Sequence, residues 1–381
     1  MATTMKIQVE ENNPVVAIQG FLRSLLEDES LGGVVVPVHL FETGIPMPTL
    51  VTDPDQLSGA DPLAPAFPMN SAKLLSRLTK GQSGERLAVV MRPCEIRAFV
   101  ELVKLNQGSL DDVIIIGVDC MGAYDNTGYK TFLGDRDAFE ATLAFQGQRG
   151  GSNETAINGV DIAPACKSCE FPAPMNADMI IGLAGADLHE AIPVIADSAR
   201  GEALLNSLGL PSMEASGRDD VLESLIKVRT EHRDAMIEAT QAVTGTLSDL
   251  SEYLSSCVNC YNCRVACPVC YCKECVFNTD VFEHKPWQYV GWAKRKGSLK
   301  LPTDTIFYHL TRMAHMSMAC VGCGQCSNAC PNGIPVMELF RTVAARTQKS
   351  FDYVPGRSLE EAPPLSVFKE DEFQDTVSHM A

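Results

Sequence analysis

Twice this chain repeats one cysteine spacing. Residues 257–268 read C-V-N-C-Y-N-C-R-V-A-C-P and residues 320–331 read C-V-G-C-G-Q-C-S-N-A-C-P. Each is a C-x2-C-x2-C-x3-C-P run, in which three closely spaced thiolates wrap one cubic [4Fe-4S] cluster and the fourth points toward a neighbouring cube. That logic assigns Cys257, Cys260, Cys263 and Cys330 to one cluster, and Cys320, Cys323, Cys326 and Cys267 to another. Paired C-x2-C knuckles also suit tetrahedral zinc, but two complete copies, each closed by proline, favour the cubes. The chain holds 15 cysteines in 381 residues. An odd count behind a start (MATTMKIQVEENN) without a signal-peptide pattern argues for reduced, metal-binding thiols and against a disulfide scaffold. No run of about 18 apolar residues suggests a membrane span. A formal charge of −17 argues against nucleic-acid or anionic-membrane binding. A soluble, cytoplasmic protein is expected.

The remaining sequence divides by pattern. Residues 14–27 have helical apolar spacing and stop at Gly32-Gly33, before the run Val34–Leu40. Residues 45–68 contain six prolines and read as loop or extended chain. Ser71 caps a short helix over 71–79. Leu87–Met91 and Val113–Val118 are β-branched buried strands separated by a helix over Glu95–Leu105, and another short strand begins at Met179. This alternation predicts an α/β domain with a mostly parallel sheet. Residues 186–249 read as helices, with a strip of Val221, Leu225, Val228, His232, Ala235 and Ile237, and are expected to join the two halves. The expected units are an α/β domain over 1–190, a helical connection over 191–250, a mainly α-helical two-cluster domain over 251–350, and an extended C-terminal arm over 351–381. The arm reads as either a disordered tail or a partner-docking segment.

Four more cysteines fall in the first half. Cys94 and Cys120 each follow a strand, at the carboxyl edge where α/β proteins assemble their sites. Neighbouring strands would bring them together, and the pair Cys166 and Cys169 could complete a third [4Fe-4S] site. The plainer reading is two buried core cysteines and an unrelated C-x2-C. Cys270, Cys272 and Cys275 are left without an assignment. His309, Arg312 and His315 share one helical face near the second cluster. They could tune it, although a solvated helix face is the commoner outcome.

The two cysteine runs are 53 residues apart from Cys267 to Cys320, and the insert contains helical stretches, including Thr305–Met318. This arrangement resembles the α-helical ferredoxin domain of succinate dehydrogenase iron–sulfur subunits and of the heterodisulfide reductase C subunit. V-M-R-P-C-E-I-R-A-F, I-I-G-V-D-C-M-G and A-C-K-S-C-E together resemble the β-subunit family of coenzyme F420-reducing hydrogenase and F420-dependent formate dehydrogenase. The resemblance implies a [4Fe-4S] cluster on Cys94, Cys120, Cys166 and Cys169 beside an FAD that exchanges hydride with the deazaflavin. It also implies a flavin contact at Asn70, Ser71 and Lys73, where the family has its G-S-K/R-Y segment; Arg92 and Arg97, near a helix N-terminus, could favour a phosphate or carboxylate or be partners for Glu95 or Asp119, the commoner fate. No G-x-G-x-x-G follows any strand, so FAD rests on the resemblance alone.

The chain has no molybdopterin or nickel-site signature. The expected function is therefore an electron-transfer subunit working with a catalytic formate dehydrogenase or hydrogenase subunit, or with heterodisulfide-reductase-like subunits. A flavin-free polyferredoxin adaptor is the alternative.

Overall fold

The computed structural model describes residues 3–28, 31–81, 86–149, 155–214, 217–272, 274–279, 285–297 and 304–367. Its centre is a seven-stranded sheet of β1 (Thr4–Gln8), β2 (Gly33–His39), β3 (Pro46–Val51), β4 (Leu87–Met91), β5 (Val113–Val118), β8 (Met179–Ile181) and β9 (Ala191–Ala196). A separate two-residue hairpin is formed by β6 (Ala156–Ile157) and β7 (Val160–Asp161). The large sheet runs β1-β9-β8-β5-β4-β2-β3.

The expectation of a mostly parallel sheet holds only for the middle. The pairs β2/β4, β4/β5 and β5/β8 are parallel. The outer pairs β1/β9, β8/β9 and β2/β3 are antiparallel, so the sheet is mixed. The physical reason is connection length: β3 and β9 follow their partners too closely for a crossover. Three strands of the large sheet go beyond the expected set. β1 is a short edge strand at the start of the chain. β3 lies within the proline-rich stretch, and its edge position tolerates Pro46 and Pro48 because an edge strand need not donate on both sides. β9 falls where helix was expected, so the sheet continues past residue 190.

The central strands are buried on every residue, LAVVM in β4 and VIIIGV in β5, as strands covered on both faces must be. One face packs on helix Pro14–Leu26 through Ile18, Leu22 and Leu25. The other shares a continuous core with the cysteine-rich segment: Val35, Val89 and Ile115 belong with Leu250, Val269, Tyr308 and Phe340. The two-cluster segment is therefore built onto the sheet and is not a bead on a linker.

Helix Arg218–Ala242 was expected to bury a strip of Val221, Leu225, Val228, His232, Ala235 and Ile237. Of these it buries Leu225, together with Leu222, Arg229 and Thr240, while His232 and Ala235 are exposed. The start of the C-terminal arm docks on its own chain. Tyr353 Oη donates to the buried Glu101 carboxylate at 2.7 Å, the Gly356 amide donates to the same group at 2.8 Å, and Arg97 Nε donates to the Pro355 carbonyl at 2.9 Å. Gly356 has φ +74° and backs directly onto Arg97, which leaves no room for a side chain. Residues 368–381 of the arm lie outside the described residues.

Candidate iron–sulfur centres

Three cavities each gather a quartet of cysteines, and Cys323 of the second also reaches the third. Cys257, Cys260, Cys263 and Cys330 surround the first, together with Tyr308 and His309. Cys267, Cys320, Cys323 and Cys326 surround the second, with Arg312, Met316 and Phe340. Cys94, Cys120, Cys166 and Cys169 surround the third, with Phe67, Phe171 and Arg229. Each quartet matches one read from spacing and strand position. Among the described residues, no three His, Cys, Asp or Glu side chains converge closely enough for a single ion.

Local folding explains each set. β4 and β5 pair in parallel, with Met91 opposite Gly117, so Cys94 and Cys120 leave adjacent strands at the same edge. Pro93 starts the helix Pro93–Lys104, where the missing amide costs nothing. The buried Glu95 then accepts from the Arg92 amide at 2.9 Å and the Ser71 amide at 2.8 Å. Cys166 lies on the short helix Pro164–Lys167, which carries the C-x2-C pair against the strand ends. In the second run, Gly322 and Gly324 adopt positive φ, letting the chain curl around the second cavity.

The cavities adjoin. Gly322 and Cys323 line both the second and the third. Arg312 lines the second and donates from Nη1 to Cys263 Sγ of the first at 3.1 Å and from Nη2 to the Cys263 carbonyl at 3.1 Å. The second and third cavities therefore meet directly, without residues 186–249 between them.

His309 and Arg312 are buried and do not form the solvated face anticipated for them; only His315 is exposed. His309 also faces the first cavity and not the second, with Nε2 3.5 Å from Cys257 Sγ. Burial, with Arg312 alongside, pulls its imidazole down to about 4. Tyr308 Oη lies 3.5 Å from Cys263 Sγ.

Burial likewise pushes the Cys94 and Cys326 thiols well above their usual value, Cys166 up to about 12, and Cys257 and Cys267 up to about 11. Such surroundings favour neutral thiols, and coordination to a metal centre is what ionises them. The donor set, four thiols around each cavity, fits iron–sulfur clusters.

Around the third cavity stand residues that sequence reasoning missed, Arg229, Arg233 and Arg341, and one that it named, Arg97. Arg229 donates to the Cys120 carbonyl at 3.2 Å. Arg97 stacks 3.7 Å above the Phe171 ring and donates to the Val321 carbonyl at 3.3 Å. Arg233 and Arg341 both pair with Glu170. A readable signal existed for Arg229, since it follows Leu222 and Leu225 on one helical face.

The four residues expected at a flavin divide. Asn70 and Ser71 are buried, and Arg92 is joined to Ser71 through Glu95. Asn70 Nδ2, Ser71 Oγ and Arg92 Nη1 are buried without a hydrogen-bond partner. Lys73 turns away and donates to the Val265 carbonyl at 3.1 Å. Of the unassigned cysteines, Cys272 is exposed, while Cys270 and Cys275 are half-buried.

Residues 84–210 match the family model for the C terminus of the coenzyme F420 hydrogenase/dehydrogenase beta subunit, and residues 252–334 match a 4Fe-4S dicluster domain. The F420-dependent formate dehydrogenase subunit beta of Methanocaldococcus jannaschii is 25% identical over 374 residues, covering 92% of this chain and 93% of the relative. The F420-dependent formate dehydrogenase 1 subunit beta of Methanococcus maripaludis is 27% identical over 379 residues, covering 91% and 92%. A solved chain of the F420-reducing [NiFe] hydrogenase complex from Methanosarcina barkeri aligns with a TM-score of 0.46 and 16% identity, covering 65% of this chain and 94% of that one. Among the described residues, no helix is long and apolar enough to cross a membrane. Residues 84–210 of this chain are thus similar to the C-terminal domain of the coenzyme F420 hydrogenase/dehydrogenase beta-subunit family, and residues 252–334 to a 4Fe-4S dicluster domain.

Proposed function

We propose that the chain is a flavin-bearing iron–sulfur relay between a hydride-exchanging site and its partner subunits. The first and second quartets hold the two clusters of the dicluster domain, and Cys94, Cys120, Cys166 and Cys169 hold a third. The observation that carries the reading is the row of three adjoining cavities, joined by Arg312 on one side and by Gly322 and Cys323 on the other. When bound, such clusters carry electrons singly while a flavin takes the two electrons of a hydride. The protein's part is to keep the thiols out of water, set a cation beside each cavity and hold the spacing rigid through the shared core.

The three unpartnered donors, Asn70 Nδ2, Ser71 Oγ and Arg92 Nη1, support FAD at this edge of the sheet. A buried donor without a partner needs an acceptor to offset its desolvation, and a flavin nucleotide is rich in acceptors. The relatives' names point to coenzyme F420 as the hydride carrier. The partners on this reading are a catalytic formate dehydrogenase or hydrogenase subunit and a heterodisulfide-reductase-like subunit, in the cytoplasm.

Anaerobic purification of the full chain, with iron and flavin counted, tests the proposal. About twelve irons and about one flavin per chain are expected. Twelve irons with no flavin would replace it with the adaptor role, and iron near zero would end both.

A further inference from the structure

Two arginines are sealed in protein at the third cavity, and neither has a carboxylate to answer it. Arg229 is 3% exposed and lines the cavity, and its Nη2 donates to the Cys120 carbonyl at 3.2 Å. Arg97 is 1% exposed and lies 3.7 Å over the ring of Phe171, which lines the same cavity. Its Nε and Nη1 donate to the carbonyls of Pro355 and Val321 at 2.9 Å and 3.3 Å. Among the described residues neither guanidinium forms an ion pair.

The carboxylates next in sequence to the cysteines of this quartet are engaged elsewhere. Glu95 accepts from the Arg92 and Ser71 amides. Arg218 pairs with Asp119 at 2.6 Å, and Arg233 and Arg341 pair with Glu170. Burying a guanidinium is costly unless an anion offsets it. The bonds to carbonyls do not account for that cost, because a neutral amide side chain would make such bonds without burying a charge. What remains to supply the anion is the cavity. Four thiolates outweigh the positive core of a cubic cluster in both of its oxidation states, so a filled site is negative and becomes more so on reduction.

We infer that Arg229 and Arg97 are the counter-ions of the third centre, positioning residues that offset its charge and raise its potential. The inference rests on the relay reading, in which Cys94, Cys120, Cys166 and Cys169 hold a cluster.

The test is an anaerobic redox titration of the full chain followed by electron paramagnetic resonance, with the third signal identified by its loss in Cys120→Ser. Arg229→Gln keeps a donor for the carbonyl and removes the charge, whereas Arg229→Lys keeps the charge. The Gln variant should make reduction of the third centre about tenfold less favourable, a fall of about 59 mV for one electron, and leave the other two centres unmoved. The Lys variant should recover most of that loss, and the same pair of changes at Arg97 should act in the same direction. Loss of third-centre iron from the Gln variants, with retention in the Lys variants, is the same charge requirement read as occupancy. A third potential unmoved by both Gln variants at full iron content overturns the inference and leaves the relay standing, as does equal iron loss from the Gln and Lys variants. About eight irons in the unmodified chain, two cubes only, would instead end the third centre and this inference with it.

Discussion

Arg312 offers the sharpest single perturbation, because one buried cation touches two candidate centres. Its guanidinium donates to Cys263 Sγ at 3.1 Å, lines the second cavity and lies 4.6 Å over the Phe340 ring. Reduction adds a negative charge to a cluster, so a neighbouring cation stabilises the reduced form. A hydrogen bond to a charged group contributes roughly 1.5–3 kcal/mol. With about 1.4 kcal/mol and 59 mV each marking a tenfold change for one electron, that becomes roughly 60–130 mV. Arg312→Met should therefore lower the potential of the first centre by that order and that of the second, whose cavity it lines without a hydrogen bond to a thiol, by a smaller amount; Arg312→Lys should do less, since it keeps the charge and loses the fork. The assay is an anaerobic redox titration followed by electron paramagnetic resonance. Arg312→Gln serves if the Met variant loses iron. Potentials unmoved in a variant with full iron content would refute the electrostatic argument, and a shift in one centre alone would refute the placement of Arg312 between them.

Other consequences follow from the same geometry. Cys323→Ser should cost about four irons, one cube, measured by iron analysis; unchanged iron would remove Cys323 from the ligand set. Cys94→Ser and Cys120→Ser should each abolish the same spectroscopic signal, and the double variant should lose nothing more; additive losses would assign them to different structures. Glu101→Ala should destabilise the chain by about 3–5 kcal/mol in denaturant titration, because it leaves the buried Lys104 ammonium, now 3.0 Å from Glu101, unpaired and releases Tyr353 and Gly356. A loss under about 1 kcal/mol, the range of exposed ion pairs, would mean the C-terminal strap is not held there.

How much of this was readable from the chain alone depends on how local the information is. Ligand quartets are local, because cluster geometry restricts cysteine spacing and the β-branched runs of β4 and β5 announce strands whose ends carry Cys94 and Cys120. The structure gathers each quartet around one cavity. Parallel pairing in the sheet's middle was legible for the same reason. The rest was decided at long range. β1 and β9 lack the continuous β-branched runs of β4 and β5, and they exist as strands because they pair with each other and β9 pairs with β8. A helical face can be drawn for His309 and Arg312 from sequence, but burial depends on what packs across it. Here that is the cysteine-rich segment laid on the sheet by the core of Val35, Val89, Tyr308 and Phe340. The Glu101–Tyr353 clasp joins positions 252 residues apart, and no local pattern encodes it. Spacing and strand position grouped the cysteines into the same quartets that line the three cavities. Only the tertiary packing decided that the three groups stand in one row, since adjacency between them comes from a shared core and not from proximity along the chain.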